Sequence, residues 1–147
     1  MNRFFITGFI GLMLTFTVLG QSNSTTMRSS KVSRKKEIND LGDSSIMYYG
    51  VASFYADKFE GRETATGAIF SHKKATAACN VLPLGTWIRV TNLANNKSIV
   101  VQINDRLHAQ NNRIVDLTKT GAEKLGYRSR GLARVKLDVL GKKKPKR

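Results

Sequence analysis

The sequence is poor in cysteine: Cys79 is the only one among 147 residues. A single cysteine cannot form a disulfide within the chain, so the fold must depend on a hydrophobic core. The thiol is either a small buried apolar group or a free reactive one. The sequence also contains no cysteine–histidine cluster with the spacing of a zinc site. We therefore expect no metal and no cofactor.

Acidic residues are scarce as well. Ten Asp and Glu stand against 25 Lys and Arg, which gives a formal net charge of +15. Residues 28–36 and 142–147 each contain five of the basic side chains. Such an excess favours anionic partners, and nucleic acid would be the first expectation for a cytosolic chain. The sequence has no recognised nucleic-acid-binding motif and no interleaved exposed aromatics, so we expect no nucleic-acid partner.

The first 20 residues have the order of a secretory signal peptide. A basic start at residues 1–3 precedes an almost wholly apolar run at residues 4–19, and residues 18–20 offer a cleavage site. The run is short for a bilayer span of ~20 residues, and an uncleaved anchor is the alternative. Because Gln21 follows the expected cut, no N-terminal cysteine is present to carry a lipid. The sequence predicts export to the periplasm or cell envelope without that lipid anchor.

The rest of the chain divides into three parts. Residues 21–47 are rich in Ser, Thr, Asn and Lys, lack apolar periodicity and are predicted to be a disordered basic linker. Residues 48–140 carry strand patterns and form the one predicted folded domain, and residues 141–147 form a basic tail. The basic ends are expected to contact anionic envelope polymers or lipid headgroups, or to serve only solubility.

Apolar patterns within residues 48–140 predict five or six short strands and one short helix. Strands are predicted over residues 48–55, 75–81, 86–92, 97–103 and 132–140. Residues 95–96 predict a tight hairpin turn. The helix ends at Leu125 and is capped by Thr118, or by Thr120 in a capping box with Glu123. This content is typical of a mostly β fold, namely a small closed barrel.

Six short motifs follow one another through the predicted domain. They are residues 50–55 (GVASFY), 59–67 (FEGRETATG), 76–86 (TAACNVLPLGT), 90–95 (VTNLAN), 103–106 (INDR) and 113–118 (RIVDLT). The series resembles the rare lipoprotein A (RlpA) family of septal peptidoglycan lytic transglycosylases over about residues 48–140. The resemblance implies a six-stranded double-psi β-barrel with one short helix, related to the barrel domain of expansins and barwin-like proteins.

The resemblance also implies a reaction on peptidoglycan glycan strands. The bond between N-acetylmuramic acid and N-acetylglucosamine is cleaved without water, which leaves a 1,6-anhydro sugar end. This chemistry needs an acid to protonate the leaving oxygen and a base to take the proton of the O6 hydroxyl. Asp105 occupies the position of the family's aspartate and is the candidate catalytic acid/base. The alternative is a salt bridge from Asp105 to Arg106 or Arg113.

Substrate-binding residues are expected in the same groove. They are Tyr55, Arg62, Thr64, Cys79, Asn104 and Arg106. Tyr55 would stack on a sugar ring, or it is a core aromatic. Cys79 would be a weak hydrogen-bond donor, and the other polar side chains would donate to sugar hydroxyls and acyl groups. Trp87 is expected to pack, and Asp116 is expected to cap the helix or brace Arg113.

Two positions depart from the family pattern. Ala68 stands where the family usually has Glu, and Cys79 stands where it usually has His. Candidate replacements are Glu60, Glu63, His72 and His108. Two functions therefore stay open: an endolytic lytic transglycosylase that remodels the cell wall, and a non-catalytic, expansin-like module that binds peptidoglycan.

Overall fold

The computed structural model describes residues 32–38 and 44–146. The predicted signal peptide, residues 21–31 and 39–43 of the predicted linker, and residue 147 of the predicted tail lie outside this part of the chain. The elements are β1 (Ser33–Ile38), β2 (Ser44–Phe54), a 3-10 turn (Asp57–Phe59), β3 (Thr76–Ala78), β4 (Trp87–Asn92), β5 (Ser98–Asp105), β6 (Val115–Leu117), α1 (Lys119–Lys124) and β7 (Ala133–Gly141). Within these two ranges, none of the helices is long and apolar enough to cross a bilayer.

Six of the strands close into a barrel. Hydrogen bonds join them in the order β2-β6-β3-β5-β4-β7, and β7 pairs in turn with β2. The β2–β6 and β3–β5 pairs are parallel, whereas the other pairs of the barrel are antiparallel. A closed barrel has no free sheet edge. The structure therefore confirms the predicted mostly β fold, a six-stranded barrel with one short helix.

Strand β1 lies in a segment that was predicted to be a disordered linker. It pairs with β2 in antiparallel register, from Ser33 opposite Tyr49 to Ile38 opposite Ser44. The linker prediction is therefore wrong for residues 33–38 and 44–47, which form strands. The cause is that β1 has no apolar alternation to reveal it. Its backbone hydrogen bonds to β2 hold it in place, and the Arg34 guanidinium lies 6.0 Å from the centre of the Tyr48 ring.

The core fills the barrel with apolar side chains from every wall. In β4, Ile88 and Val90 are fully buried while Arg89 is exposed, as the alternation of this strand predicts. In β7, Val135 and Leu137 are two residues apart and both are fully buried, as the alternation of this strand predicts. Burying such a side chain stabilises the folded state by about 1.5–3 kcal/mol.

The short helix α1 leaves the barrel directly after β6. Its N-cap is Thr118, whose side-chain oxygen accepts a hydrogen bond from the Gly121 backbone N–H at 3.1 Å. The predicted capping box of Thr120 with Glu123 is therefore wrong, because Thr120 lies inside the helix. Ala122 is buried against the barrel.

Candidate active site

An open groove of about 660 Å³ lies on the barrel, at the last residues of β2, β3 and β5, and runs along β6. Its lining brings together aromatic, acidic and basic side chains. These include Tyr55, Phe59, Arg62, Glu63, Asp105, Arg106, His108, Arg113 and Asp116. The groove is the place in the described structure where the predicted catalytic residue is found.

Strand register places two carboxylates on either side of a small residue in the groove. Ala78 of β3 pairs with Asp105 of β5 on one side and with Asp116 of β6 on the other. Neighbouring strands lie about 4.8 Å apart, so the two aspartate backbones are separated by roughly twice that spacing. All three residues line the groove, and the residue between the two aspartates has only a methyl side chain.

The Asp105 carboxylate is fixed by three hydrogen bonds. The Tyr55 hydroxyl donates to Oδ2 at 2.8 Å, and the backbone N–H groups of Ala65 and Arg106 donate to Oδ1 at 2.9 Å and 2.8 Å. A carboxylate oxygen has lone pairs for about two donors. Oδ2 therefore keeps acceptor capacity for a further group in the groove.

The two arginines beside Asp105 are engaged elsewhere. Arg106 donates from its guanidinium to the backbone carbonyls of Cys79 and Leu82, which fixes the loop after β3. Arg113 makes a bidentate pair with Asp116, with both N–O distances at 2.8 Å, and this pair raises the pKa of Arg113.

These contacts decide two of the alternatives raised by the sequence. The salt-bridge interpretation of Asp105 is wrong, because within the described residues neither guanidinium pairs with its carboxylate. Asp116 braces Arg113, as one alternative predicted, and the helix cap is Thr118 instead.

Tyr55 is a groove residue whose hydroxyl is committed to Asp105. Its ring packs at 4.3 Å from the Phe70 ring and 5.8 Å from the Phe59 ring, centre to centre. Burial and then the hydrogen bond to Asp105 raise the pKa of the phenol well above its ordinary value. The hydroxyl therefore stays protonated and serves as a donor that positions the carboxylate. Stacking of the ring on a sugar stays a prediction.

Thr64 and Asn104 lie beside the groove and hold its loop in place. Thr64 is 7% exposed, and its hydroxyl donates to the Ala68 carbonyl at 2.9 Å. The backbone carbonyl of Asn104 accepts from the Thr66 N–H at 3.2 Å. Arg62 lines the groove and lies above the Phe59 ring at 5.6 Å. Of the six predicted binding residues, the groove lining contains Tyr55, Arg62 and Arg106.

Cys79 belongs to the core and does not line the groove. Its side chain is 0% exposed, and burial raises the pKa of its thiol. The sequence left open whether the thiol is a small buried apolar group or a free reactive one. In the structure it is the buried apolar group. Its backbone N–H donates to the Asp105 carbonyl at 3.1 Å, so the residue contributes to the site through its main chain.

The structure separates the four candidate replacements for the missing family residues. Glu63 and His108 line the groove with Asp105. Glu60 accepts from the His72 backbone N–H at 2.8 Å, a contact that lowers the pKa of Glu60. His72 packs edge-on against Phe70 with ring centres 4.9 Å apart. Sequence reasoning missed Phe59 as a lining residue, although it opens one of the quoted motifs.

Metal binding has no cluster to support it in the described part of the chain. No group of three or more His, Cys, Asp and Glu side chains there is placed to hold an ion.

The closed barrel places the chain among the double-psi β-barrel proteins. The solved structure of the Streptomyces papain inhibitor (SPI) is similar, with a TM-score of 0.51 and 19% sequence identity. The match covers 63% of this chain and 94% of the inhibitor. At this identity the similarity shows the fold alone.

The chain belongs to the lytic transglycolase family, whose model matches residues 48–137. It is 36% identical over 126 residues to the endolytic peptidoglycan transglycosylase RlpA of Haemophilus influenzae, which covers 86% of this chain and 40% of the relative. The Neisseria meningitidis protein of the same name is 37% identical, over 80% of this chain and 49% of the relative. The chain thus spans less than half the length of these curated relatives, and the predicted RlpA resemblance is confirmed.

Proposed function

We propose that this chain is an endolytic peptidoglycan lytic transglycosylase that remodels the cell wall. It would cleave between N-acetylmuramic acid and N-acetylglucosamine and leave 1,6-anhydro ends. The observation that carries the proposal is the Asp105 carboxylate, held in an open groove by Tyr55 and two backbone N–H groups. Family membership and the similarity to proteins named endolytic peptidoglycan transglycosylase support it.

The arrangement of Asp105 suits proton transfer at a sugar. In the proposed reaction the bond from the anomeric carbon to the leaving oxygen breaks, and that oxygen gains a proton. The sugar's own O6 then bonds to the anomeric carbon and loses its proton to a base. Asp105 is the proposed acid/base group, because Oδ2 faces a single donor and Tyr55 fixes the orientation of the carboxylate.

Product analysis on purified peptidoglycan sacculi tests this function. Incubation with the folded chain is expected to release soluble fragments with 1,6-anhydro ends, which are lighter by one water than hydrolysis products. Mass spectrometry of the supernatant distinguishes the two end groups, and heat-denatured protein is the control. If the folded chain releases no fragment above the control, it is not a transglycosylase.

A second candidate is a module that binds peptidoglycan without cleaving it. The Ala68 side chain has no acid/base group, and the Cys79 thiol is buried in the core. The two positions that are usually Glu and His in the family therefore bring no titratable side chain to the groove. Co-sedimentation of the folded chain with sacculi, together with no release of anhydro fragments, would select this candidate.

Export to the cell envelope is a further part of the proposal. The order of residues 1–20 supports it. The described surface also has exposed basic side chains. Arg89 and Arg134 are exposed on the wall formed by β4 and β7, and Lys144 of the basic tail lies 5.7 Å from the Trp87 ring centre. Anionic envelope polymers or lipid headgroups are the proposed partners of these basic regions.

Fractionation of cells that express the full chain tests this location. The protein is expected in the periplasmic or envelope fraction, with a mass that corresponds to loss of about residues 1–20. Part of the envelope-bound protein is expected to be released by high salt, because exposed charges are screened. Full-length protein found only in the cytoplasmic fraction would contradict export.

A further inference from the structure

Glu63 is set apart from the other acidic side chains by its lack of a partner. Residues 44–146 contain seven acidic side chains, and six of them are engaged. The engaged pairs are Asp57 with Lys119, Glu60 with the His72 N–H, Asp105 with Tyr55, Asp116 with Arg113, Glu123 with Arg128 and Asp138 with Lys136. Among the described residues, the Glu63 carboxylate has no hydrogen bond and no ion pair.

The Glu63 side chain is exposed and belongs to the groove lining. Basic residues outnumber acidic ones by 25 to 10 in the whole chain, yet none of the described ones pairs with the Glu63 carboxylate. Glu63 and Asp105 line the same groove. This location distinguishes Glu63 from Glu60, which precedes it by three residues and does not line the groove.

The backbone around Glu63 ties it to Asp105. Glu63 forms an isolated antiparallel bridge with Ile69, which fixes the base of the loop. Two residues beyond Glu63, the Ala65 N–H donates to Asp105 Oδ1 at 2.9 Å. The segment that carries Glu63 is thus hydrogen-bonded directly to Asp105, which holds the Glu63 backbone beside the groove.

The two carboxylates differ in their hydrogen bonds. Asp105 accepts three, from the Tyr55 hydroxyl and from the Ala65 and Arg106 N–H groups. Glu63 accepts none from the described residues, so its carboxyl group is available to contact a substrate oxygen. The proposed reaction needs one group to give a proton and another to take one, and the groove lining contains both carboxyl groups.

We propose that Glu63 is a second catalytic residue of the groove and the proton donor to the leaving sugar. The inference rests on the proposed transglycosylase function. The Glu63 carboxyl gives its proton to the glycosidic oxygen as the bond from that oxygen to the anomeric carbon breaks. O6 bonds to the anomeric carbon, and its proton passes to Asp105. Exchange with solvent then returns one proton to Glu63 and removes one from Asp105, and no water is consumed.

Glu63→Gln, compared with Glu60→Gln, tests the proposal. Both variants exchange one loop glutamate for its neutral isostere, but only Glu63 lines the groove. Release of anhydro fragments from sacculi is expected to fall by about 10²–10⁴-fold in Glu63→Gln, the range for loss of a general acid. In Glu60→Gln it should stay within about threefold of the wild type, since a carboxamide oxygen still accepts the His72 N–H.

A substrate with an activated leaving group separates a catalytic role from a structural one. An aryl glycoside of N-acetylmuramic acid with a nitrophenolate leaving group needs little protonation at departure. Glu63→Gln is expected to release nitrophenolate at close to the wild-type rate, whereas Asp105→Asn should stay impaired.

Three outcomes would overturn the proposal, and they are distinguishable from one another. If the wild type cleaves sacculi and Glu63→Gln cleaves them equally fast, Glu63 is not the donor and the proposed function stands. If Glu63→Gln loses activity on both substrates alike, its role is not proton donation. If the wild type itself releases no fragment, the proposed function fails and this inference fails with it.

Discussion

Asp105→Asn is expected to lower the release of anhydro fragments by about three orders of magnitude or more, the scale on which removing an essential acid/base group acts. Asparagine keeps the size of the side chain but cannot exchange a proton with the substrate. Its carboxamide oxygen can accept from the Ala65 and Arg106 N–H groups that now bond to Oδ1. Its NH₂ group would then face the Tyr55 hydroxyl, which can rotate to accept. The fold is therefore expected to survive the change.

The matched control for this variant is Asp138→Asn. It makes the same chemical change on β7, where Asp138 pairs with Lys136 at 3.1 Å and does not line the groove. Asp138→Asn is expected to release anhydro fragments at the wild-type rate. Product release by Asp105→Asn within tenfold of the wild type, with an unchanged urea-unfolding midpoint, would remove Asp105 from the proposed mechanism.

Tyr55 shows which part of the site a single sequence could and could not predict. The motif around Asp105 located the carboxylate, because an Asn-Asp-Arg triplet after an apolar strand is visible in the sequence. The hydrogen bond from Tyr55 joins residues 50 positions apart, and no local pattern reveals such a contact. The burial of Cys79 was left open for the same reason, since it depends on how β3 packs within the closed barrel.

The strands also divide into those that the sequence predicted and those that it missed. The alternation in β4 and β7 predicted both strands and their inner faces, because one face of each is wet. Strand β6 has three residues that are all buried, so it has no alternation and was not predicted. Strand β1 was missed for the opposite reason, because none of its described side chains is buried and only its pairing with β2 orders it.

Tyr127→Ala is expected to reduce the free energy of unfolding by about 3–5 kcal/mol, the range for removing a large aromatic side chain from a core. Tyr127 is 1% exposed and is the largest of the fully buried side chains in the described structure. Its ring packs against Phe54 with centres 6.3 Å apart, and its hydroxyl donates to the Ser53 carbonyl at 2.8 Å. The residue thus fastens the segment after α1 to β2, next to the groove. Urea unfolding followed by circular dichroism measures the loss.

Tyr127→Phe removes only the hydroxyl group. It is expected to reduce the free energy of unfolding by a smaller amount, about 1–2 kcal/mol, because it leaves the Ser53 carbonyl without this donor. The difference in stability between the wild type and Tyr127→Phe is also expected to depend on pH. Burial and then the charge of Asp116 raise the pKa of Tyr127 above its ordinary value of 10.0. Below pH 10 both the folded and the unfolded chain keep the proton, so the stabilising contribution of the protonated phenol is fully present. Above pH 10 the unfolded chain releases the proton first, and stability falls as pH rises.

The comparison between wild type and Tyr127→Phe above pH 10 is therefore the sharpest test. Each proton released on unfolding lowers stability by about 1.4 kcal/mol per pH unit. Phenylalanine has no proton to release, so the variant should lose stability less steeply than the wild type by about this amount. All other ionisable groups are the same in both proteins and cancel in the difference. Parallel stability curves between pH 10 and 11 would show that the Tyr127 hydroxyl titrates alike in the folded and unfolded chains, contrary to the buried hydrogen bond described above.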